Sequence, residues 1–280
     1  MWKQKLGISI SPKYAIPTEQ IIEIIARMGF EAVSPMYSSE DDTDAIVGKA
    51  RSLGLEIQSL HAPFTKAADL WCDDTERREC AVAEQISALD FCRRQSIPVM
   101  VAHVWIGMGT EASVTFEGLD SFDRIVGAAE ERGVKIAFEN TEGEEYLNCL
   151  MDRYRDSDTV GFCWDSGHEM CYNGGCDLLA RYGDRLLVTH LNDNLGVRSY
   201  SGEITWLDDL HLLPYDGIID WDSSIERLRR SKHLEILNLE LTTVSKPGRH
   251  DNDKYGNMGY EAYFAEAYAR ACRIAYRYSK

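Results

Sequence analysis

The sequence predicts one α/β domain over residues 1–280, folded as a single (β/α)8 (TIM) barrel. Short apolar segments alternate with amphipathic helical segments along the chain, and glycines stand at the ends of several helices. Most of the apolar segments lead into a polar or ionisable residue. Alternation of strands and helices is typical of parallel βαβ units. The length of 280 residues suits one closed barrel of eight such units.

The elements follow one another in the order that this fold requires. The first helix begins near Thr18, carries apolar residues at helical spacing and ends at Gly29. The predicted strands are Leu6–Ile10, Ala32–Tyr37, Glu56–Leu60, Pro98–Ala102, Val134–Phe138, Thr159–Trp164, Arg185–Thr189 and Ile236–Leu239. The later helices are predicted at Asp42–Leu53, Thr75–Gln95, a segment ending at Gly133, Glu144–Tyr154, Leu178–Tyr182, Ile225–Arg230 and Gly259–Tyr278.

Composition and charge exclude several classes of protein. The formal net charge of −16 repels the phosphates of nucleic acids and of anionic membranes. The longest apolar runs, such as Val99–Val101, are far shorter than a membrane span. We therefore expect neither a nucleic acid nor a membrane as partner, and the sequence leaves open whether the chain forms a homo-oligomer.

The cysteines and the first residues bear on the cellular compartment. The eight cysteines form no Cys-x-x-Cys pair, and the first ten residues lack the apolar region of a secretory signal. A chain of this size does not depend on disulfides for its core. We therefore predict reduced thiols and a cytoplasmic protein.

Ionisable side chains stand at the ends of six predicted strands. Because all strand carboxyl ends of a (β/α)8 barrel meet at one face, residues far apart in sequence should share one pocket. His168 follows one of these positions by three residues, and Asp209 and His211 lie in the long loop after another. The six strand-end residues are His61, His103, Glu139, Asp165, His190 and Glu240.

Four of these residues have the side chains of a divalent-metal site. Carboxylate oxygens of Glu139, Asp165 and Glu240, together with the imidazole of His190, suit Mn²⁺, Zn²⁺, Co²⁺ or Mg²⁺. Acidic residues are rarely buried at strand ends without a partner, so the joint pattern is far more informative than any single residue. We expect one divalent metal ion, of undetermined identity.

Four segments resemble the xylose-isomerase-like barrel superfamily, and the resemblance extends over nearly the whole chain. They are Phe138-Glu139-Asn140-Thr141, Trp164-Asp165-Ser166-Gly167-His168, Thr189-His190-Leu191-Asn192-Asp193-Asn194 and Leu239-Glu240-Leu241. That superfamily includes ketose 3-epimerases, sugar-phosphate isomerases, inosose dehydratases and a zinc-dependent apurinic-site endonuclease. The motifs specify the superfamily and leave the substrate open.

The resemblance implies a metal-dependent isomerase or epimerase of a sugar, sugar phosphate or polyol. In the similar epimerases, the residues matching Glu139, Asp165, His190 and Glu240 hold one metal. Those matching Glu139 and Glu240 also exchange a proton with opposite faces of the substrate through an enediolate. The expected partner is a small carbohydrate. The candidate substrate-binding residues are His61, His103, His168, Trp105, Arg198, Asp209 and His211.

A negatively charged substrate would require a local anion-binding site in the protein. Arg198 and Arg249 are the candidate anion-binding side chains in the loops, and the spacing of Arg198 from His190 differs from the family pattern. A neutral sugar or polyol is therefore favoured.

Other activities fit the same residues. The enediolate could expel a β-hydroxyl, which would make the chain a dehydratase or lyase. The three-zinc site of the similar endonuclease matches nine residues of this chain, but a strongly acidic protein is a poor ligand for DNA. A barrel that keeps its metal for a structural role is a further alternative. The nine matching residues are His61, His103, Glu139, Asp165, His168, His190, Asp209, His211 and Glu240.

Overall fold

The computed structural model describes residues 2–11, 14–39, 42–107, 113–174, 176–198 and 202–280. Within these ranges, parallel strands alternate with helices, as predicted. The strands are β1 (Lys5–Ile10), β2 (Ala32–Pro35), β3 (Glu56–Ile57), β4 (Leu60–His61), β5 (Val99–His103), β6 (Lys135–Glu139), β7 (Val160–Asp165), β8 (Leu186–His190) and β9 (Ile236–Leu239).

The strands form two parallel sheets that join into a cylinder. One sheet has the order β3-β2-β1-β9, and the other has the order β4-β5-β6-β7-β8. Parallel bridges between Met36 and His61 and between Leu191 and Leu239 connect the two sheets at both edges. Since β3 and β4 are the two halves of the predicted strand 56–60, interrupted at residues 58–59, the cylinder has the eight strand positions of a (β/α)8 barrel.

The helices surround this cylinder and largely match their predicted positions. They are α1 (Thr18–Met28), α2 (Thr43–Ser52), α3 (Thr75–Arg94), α4 (Phe116–Arg132), α5 (Glu144–Arg153), α6 (Ser166–Tyr172), α7 (Leu178–Tyr182), α8 (Trp221–Arg230), α9 (Asp253–Met258) and α10 (Tyr260–Tyr278). Three short 3-10 helices lie at Ala67–Trp71, Gly183–Arg185 and Trp206–Asp208.

Several predicted boundaries were wrong by small amounts. Helix α1 begins at Thr18, as predicted, and Pro17 occupies its cap position without a side-chain hydrogen bond. The strands β5 to β8 extend one residue further than predicted, so their ionisable residues belong to the strands themselves. The helices α6 and α9 were not predicted. Among the described residues, no helix is both long enough and apolar enough to cross a bilayer.

The side chains of the strands divide between two apolar layers. Residues such as Ile136 and Phe138 face the helices and belong to the main core. Val101, Ala137 and Cys163 alternate with outward-facing neighbours and pack with Val188 as a small separate cluster inside the cylinder. All eight cysteines are free thiols, as predicted.

Asp193 fixes the loop that follows β8. Its backbone pairs with Leu212 in an antiparallel bridge, and its carboxylate is fully buried. The carboxylate accepts hydrogen bonds of 2.8–3.1 Å from four N–H groups. It therefore satisfies buried backbone donors that water would otherwise have to satisfy. The donors are the backbone amides of Asn194, Tyr215 and Ile219 and the indole nitrogen of Trp221.

We expect Asp193→Asn to destabilise the protein by about 1.5–3 kcal/mol, because the amide group turns donors toward donors and removes the charge that strengthens these hydrogen bonds. Urea unfolding monitored by circular dichroism measures this change. The matched control is Asp222→Asn, an exposed carboxylate on α8 that pairs with Arg277; it should alter stability by at most about 0.5 kcal/mol. Equal stability of the two variants would contradict this role for Asp193.

Candidate metal centre

The alternation of side chains along the strands brings the ionisable residues together. Each of the inner-layer residues Val101, Ala137, Cys163 and Val188 is followed two positions later by a chemically active residue on the same face. These four residues end their strands at the same rim, where the parallel register pairs His103 with Glu139 and Asp165 with His190. They are His103, Glu139, Asp165 and His190.

Glu139, Asp165, His190 and Glu240 form the central group. Their ligand atoms all lie within 4.8 Å of one another. His190 Nδ1 is 2.8 Å from Glu139 Oε1 and 3.1 Å from Glu240 Oε2. Glu139 and Asp165 are fully buried, whereas Glu240 keeps 18% of its side chain exposed. The predicted ligand set therefore converges on one point.

The electrostatics of this group favour a cation. Burial raises the pKa of Asp165 to about 6 despite the nearby histidines. Burial also acts to raise the pKa of Glu240, but the charge and hydrogen bond of His190, together with the charge of His211, outweigh it and lower that pKa to about 2. Three carboxylates around one imidazole are costly to bury without a balancing positive charge. Three hard oxygens and one nitrogen are a donor set that fits a divalent metal ion.

Two further groups adjoin the central one. On one side, Nε2 of His61 and Nε2 of His103 are each 3.3 Å from Glu139 Oε2. On the other side, His168, Asp209 and His211 have ligand atoms within 4.8 Å of one another. Each of these groups also has the composition and spacing to hold a metal ion.

His211 is held in an unusual backbone conformation. Its φ of 47° lies in the left-handed region, which residues other than glycine rarely adopt. The conformation brings its Nε2 to 3.0 Å from Asp209 Oδ1. Burial acts to lower the pKa of His211, but the charge and hydrogen bond of Asp209, together with the charges of Glu240 and Asp165, outweigh it and raise that pKa to about 9. His211 and Asp209 thus form a buried pair.

A cavity of about 480 Å³ opens above these groups. Its wall includes five of the predicted substrate-binding residues, together with the central Glu240. Aromatic side chains from Phe64, Tyr172 and Trp206 also contribute to it. A volume of a few hundred cubic ångströms is typical of pockets for small molecules. The five predicted residues are His61, His103, His168, Asp209 and His211.

Comparisons with known proteins agree with this architecture. Residues 22–256 match the model of the family described as the xylose isomerase-like TIM barrel. The chain belongs to that family. The uncharacterized protein y4fM of Sinorhizobium fredii (strain NBRC 101917 / NGR234) is 33% identical over 211 residues, which are 71% of this chain and 61% of the relative. The match therefore spans less than two thirds of the relative's length.

Solved structures show the same fold at low sequence identity. An IolI protein with a bound zinc atom has a TM-score of 0.76 and 16% identity, covering 98% of this chain and 99% of its own. D-psicose 3-epimerase from Clostridium cellulolyticum H10 with D-tagatose has a TM-score of 0.70 and 16% identity, covering 99% and 100%. An L-ribulose 3-epimerase has a TM-score of 0.70 and 12% identity, covering 98% and 96%.

In this xylose isomerase-like barrel, two asparagines orient the acidic residue of β7. The Asn140 carboxamide accepts from the backbone amide of Asp165 and donates to its carbonyl, at 2.8 and 2.9 Å. Asn192 Nδ2 donates to Asp165 Oδ2 at 2.7 Å. A Cβ at position 167 would overlap the Asn192 side chain, which explains the glycine in Asp165-Ser166-Gly167-His168.

Two predicted substrate-binding residues lie outside the cavity wall. The ring of Trp105 stacks on Tyr146 with centroids 4.4 Å apart, and its indole N–H donates to the carbonyl of Gly107. Arg198 pairs with Asp251 on a part of the loop that does not line the cavity. Sequence position places a residue near the mouth without fixing where its side chain points, so substrate binding by Trp105 and Arg198 stays a prediction.

Several cavity residues were not predicted from the sequence, Lys246 and Tyr172 among them. Lys246 lies six positions after Glu240 and lines the cavity, with its Nζ 3.3 Å from Asp209 Oδ2. Its position in the long loop after β9 is a signal, since loops at this rim supply active-site side chains. Tyr172, at the end of the unpredicted helix α6, was missed for lack of any periodic signal.

We expect Asn192→Ala to weaken metal affinity about 10–100-fold, because Asp165 loses the partner that orients its carboxylate. Titration of the metal-free protein with Mn²⁺ or Zn²⁺ against a competing chelator measures this change. The control is Asn148→Ala on α5, which removes a hydrogen bond to Tyr182 remote from the central group and should leave the affinity unchanged. Unaltered metal affinity in Asn192→Ala would show that Asn192 does not orient Asp165 for metal binding.

Proposed function

We infer that this chain is a divalent-metal-dependent isomerase or epimerase of a sugar or a related polyhydroxy compound. The observation that supports this most strongly is the convergence of Glu139 and Glu240 on His190 beneath a cavity of about 480 Å³. Two carboxylates beside one potential metal site are the groups that proton transfer next to a carbonyl requires. The similar folds of D-psicose 3-epimerase and L-ribulose 3-epimerase support the same class of reaction.

Glu139, Asp165, His190 and Glu240 would hold one ion of Mn²⁺, Zn²⁺, Co²⁺ or Mg²⁺. When bound, such an ion would stabilise the negative charge that develops on the substrate oxygens as a proton leaves the adjacent carbon. The buried carboxylates would fix the position of the ion. They are themselves restrained by the barrel strands and, at Asp165, by hydrogen bonds with Asn140 and Asn192.

The two glutamates would act as the acid/base pair. Glu240 lines the cavity, so it would be placed to accept the proton from the carbon next to the carbonyl. The electron pair of the broken C–H bond passes into the carbonyl and forms an enediolate. Glu139 would begin the cycle protonated and return its proton on the other face of that carbon for epimerisation. For isomerisation the proton would go to the neighbouring carbon, while a hydroxyl proton moves between the two oxygens. Exchange with solvent would then return Glu240 to its ionised form and Glu139 to its protonated form.

The remaining polar residues would bind the substrate hydroxyls. His61, His103, His168 and His211 line the cavity with ring nitrogens that donate or accept hydrogen bonds. Asp209 offers an acceptor between two of these histidines. The aromatic ring of Phe64 provides apolar surface for the C–H face of a sugar.

We expect Glu240→Gln to lower turnover about 10²–10⁴-fold while the fold is retained, because the amide cannot accept a proton. Glu139→Gln should have a similar effect. The measurement is epimerisation of D-psicose, D-tagatose and L-ribulose, followed by chromatography and by deuterium incorporation from D₂O, with the metal content of each variant determined in parallel.

The control for these variants is Glu144→Gln. Glu144 is comparably exposed at 24% of its side chain, but it pairs with Arg181 outside the cavity. This variant should keep wild-type turnover. Wild-type turnover in Glu240→Gln with bound metal would refute the assigned role of Glu240.

A second candidate function is zinc-dependent phosphodiester hydrolysis. The observation that favours it concerns the nine residues that match the three-zinc site of the similar endonuclease. The structure brings all nine into three adjoining groups, two of which share Glu139. Against it stand the net charge of −16 and a cavity wall that contains a single lysine and no arginine among the described residues. This candidate requires three ions and predicts cleavage of DNA at abasic sites, whereas the isomerase requires one ion.

A further inference from the structure

Lys246 places a positive charge in a cavity dominated by acidic groups and histidines. Among the described residues that line the cavity, it is the only lysine or arginine. Its side chain is about 20% exposed, so the ammonium is partly withdrawn from solvent.

The contact with Asp209 uses only part of the hydrogen-bonding capacity of the Lys246 ammonium group. Asp209 Oδ1 already lies 3.5 Å from His168 Nε2 and 3.0 Å from His211 Nε2. Lys246 adds a contact of 3.3 Å to Oδ2, and this is the one hydrogen bond of its Nζ to a described residue. An ammonium has three donors, and two of those on Lys246 make no hydrogen bond to a described residue.

Trp206 restrains Lys246 without neutralising it. The Lys246 Nζ lies 5.5 Å from the centre of the Trp206 ring, within the range of a cation–π interaction. Trp206 lines the same cavity, and its 3-10 helix is fixed by the capping hydrogen bonds between Thr205 and Asp208. The ring therefore positions the ammonium group, and Asp209 is the described carboxylate that contacts it.

A chain of side-chain contacts connects Lys246 to the proton-transfer groups. His168 Nδ1 is 3.5 Å from Glu139 Oε1, and His168 Nε2 is 3.5 Å from Asp209 Oδ1. Asp209 in turn contacts Lys246. Two side chains thus separate Glu139 from Lys246, and a molecule of several carbons would span them along the cavity.

We propose that Lys246 is the specificity-determining residue of a subsite for an anionic group, a phosphate or a carboxylate, carried by the substrate at the end remote from the reacting carbons. The proposal rests on the function inferred above. It replaces the sequence-based preference for a neutral sugar, which depended on two arginines. In the structure Arg198 pairs with Asp251, Arg249 pairs with Asp208 and Asp251, and neither arginine lines the cavity.

The test compares ligand affinities of the purified, metal-loaded full chain by isothermal titration calorimetry. The probes are D-fructose, D-fructose 6-phosphate and D-fructuronate, so the two anionic ketoses distinguish phosphate from carboxylate. The variant is Lys246→Met, which keeps most of the apolar stem. The control is Lys254→Met, because Lys254 has the same two kinds of contact, to Asp216 at 2.9 Å and to the Tyr255 ring at 4.9 Å, outside the cavity.

We expect the wild type to bind one anionic ketose about ten- to a hundredfold more tightly than D-fructose, as one charge-assisted hydrogen bond permits. Lys246→Met should lose this preference and keep its affinity for D-fructose, Lys246→Arg should retain part of it, and Lys254→Met should behave as the wild type.

Three results would overturn the proposal. They are failure of the wild type to prefer either anionic ketose, persistence of the preference in Lys246→Met, and an equal loss of affinity for charged and neutral ketoses in that variant. Turnover of the same ketoses is measured separately. A wild type that binds an anionic ketose through Lys246 but converts no ketose would contradict the inferred isomerase function and leave the subsite standing.

Discussion

The structure depends on the concentration of buried carboxylates at one rim of the barrel. Glu139 and Asp165 are fully buried at the ends of adjacent strands, and Glu240 lies beside them. Such a group is unfavourable in an apolar interior unless a cation or hydrogen-bond donors balance it. The surrounding histidines, Asn140 and Asn192 supply part of that balance, and a divalent ion would supply the rest.

The small inner layer of the barrel makes this concentration possible. Val101, Ala137, Cys163 and Val188 fill the cylinder below the rim, so the residues two positions later project inward at one level. The long loop after β8 then brings Asp209 and His211 to the same place, where Asp193 holds its backbone. Lys246 reaches the cavity from the loop after β9. The strands thus provide the fixed groups and the loops provide the variable ones.

Much of the fold and most of the candidate site could be predicted from the sequence. The alternation of strands and helices is a local pattern, and the convergence of strand ends follows from the fold itself, which is why Glu139, Asp165 and His190 could be grouped in advance. The directions of Trp105, Arg198 and Lys246 could not be predicted. No periodicity fixes a side chain outside regular strands and helices, and these directions depend on contacts such as the stacking of Trp105 on Tyr146. The roles of the site residues remain predictions.

Glu139, Asp165, His190 and Glu240 should together hold one divalent metal ion, and elemental analysis of the purified protein would measure it. We expect about one equivalent of Mn, Zn, Co or Mg per chain, lost in His190→Ala and retained in Asn148→Ala. Absence of any bound metal, or metal retained in His190→Ala, would contradict this assignment. About three equivalents of zinc would contradict the single-metal isomerase and favour the phosphodiesterase.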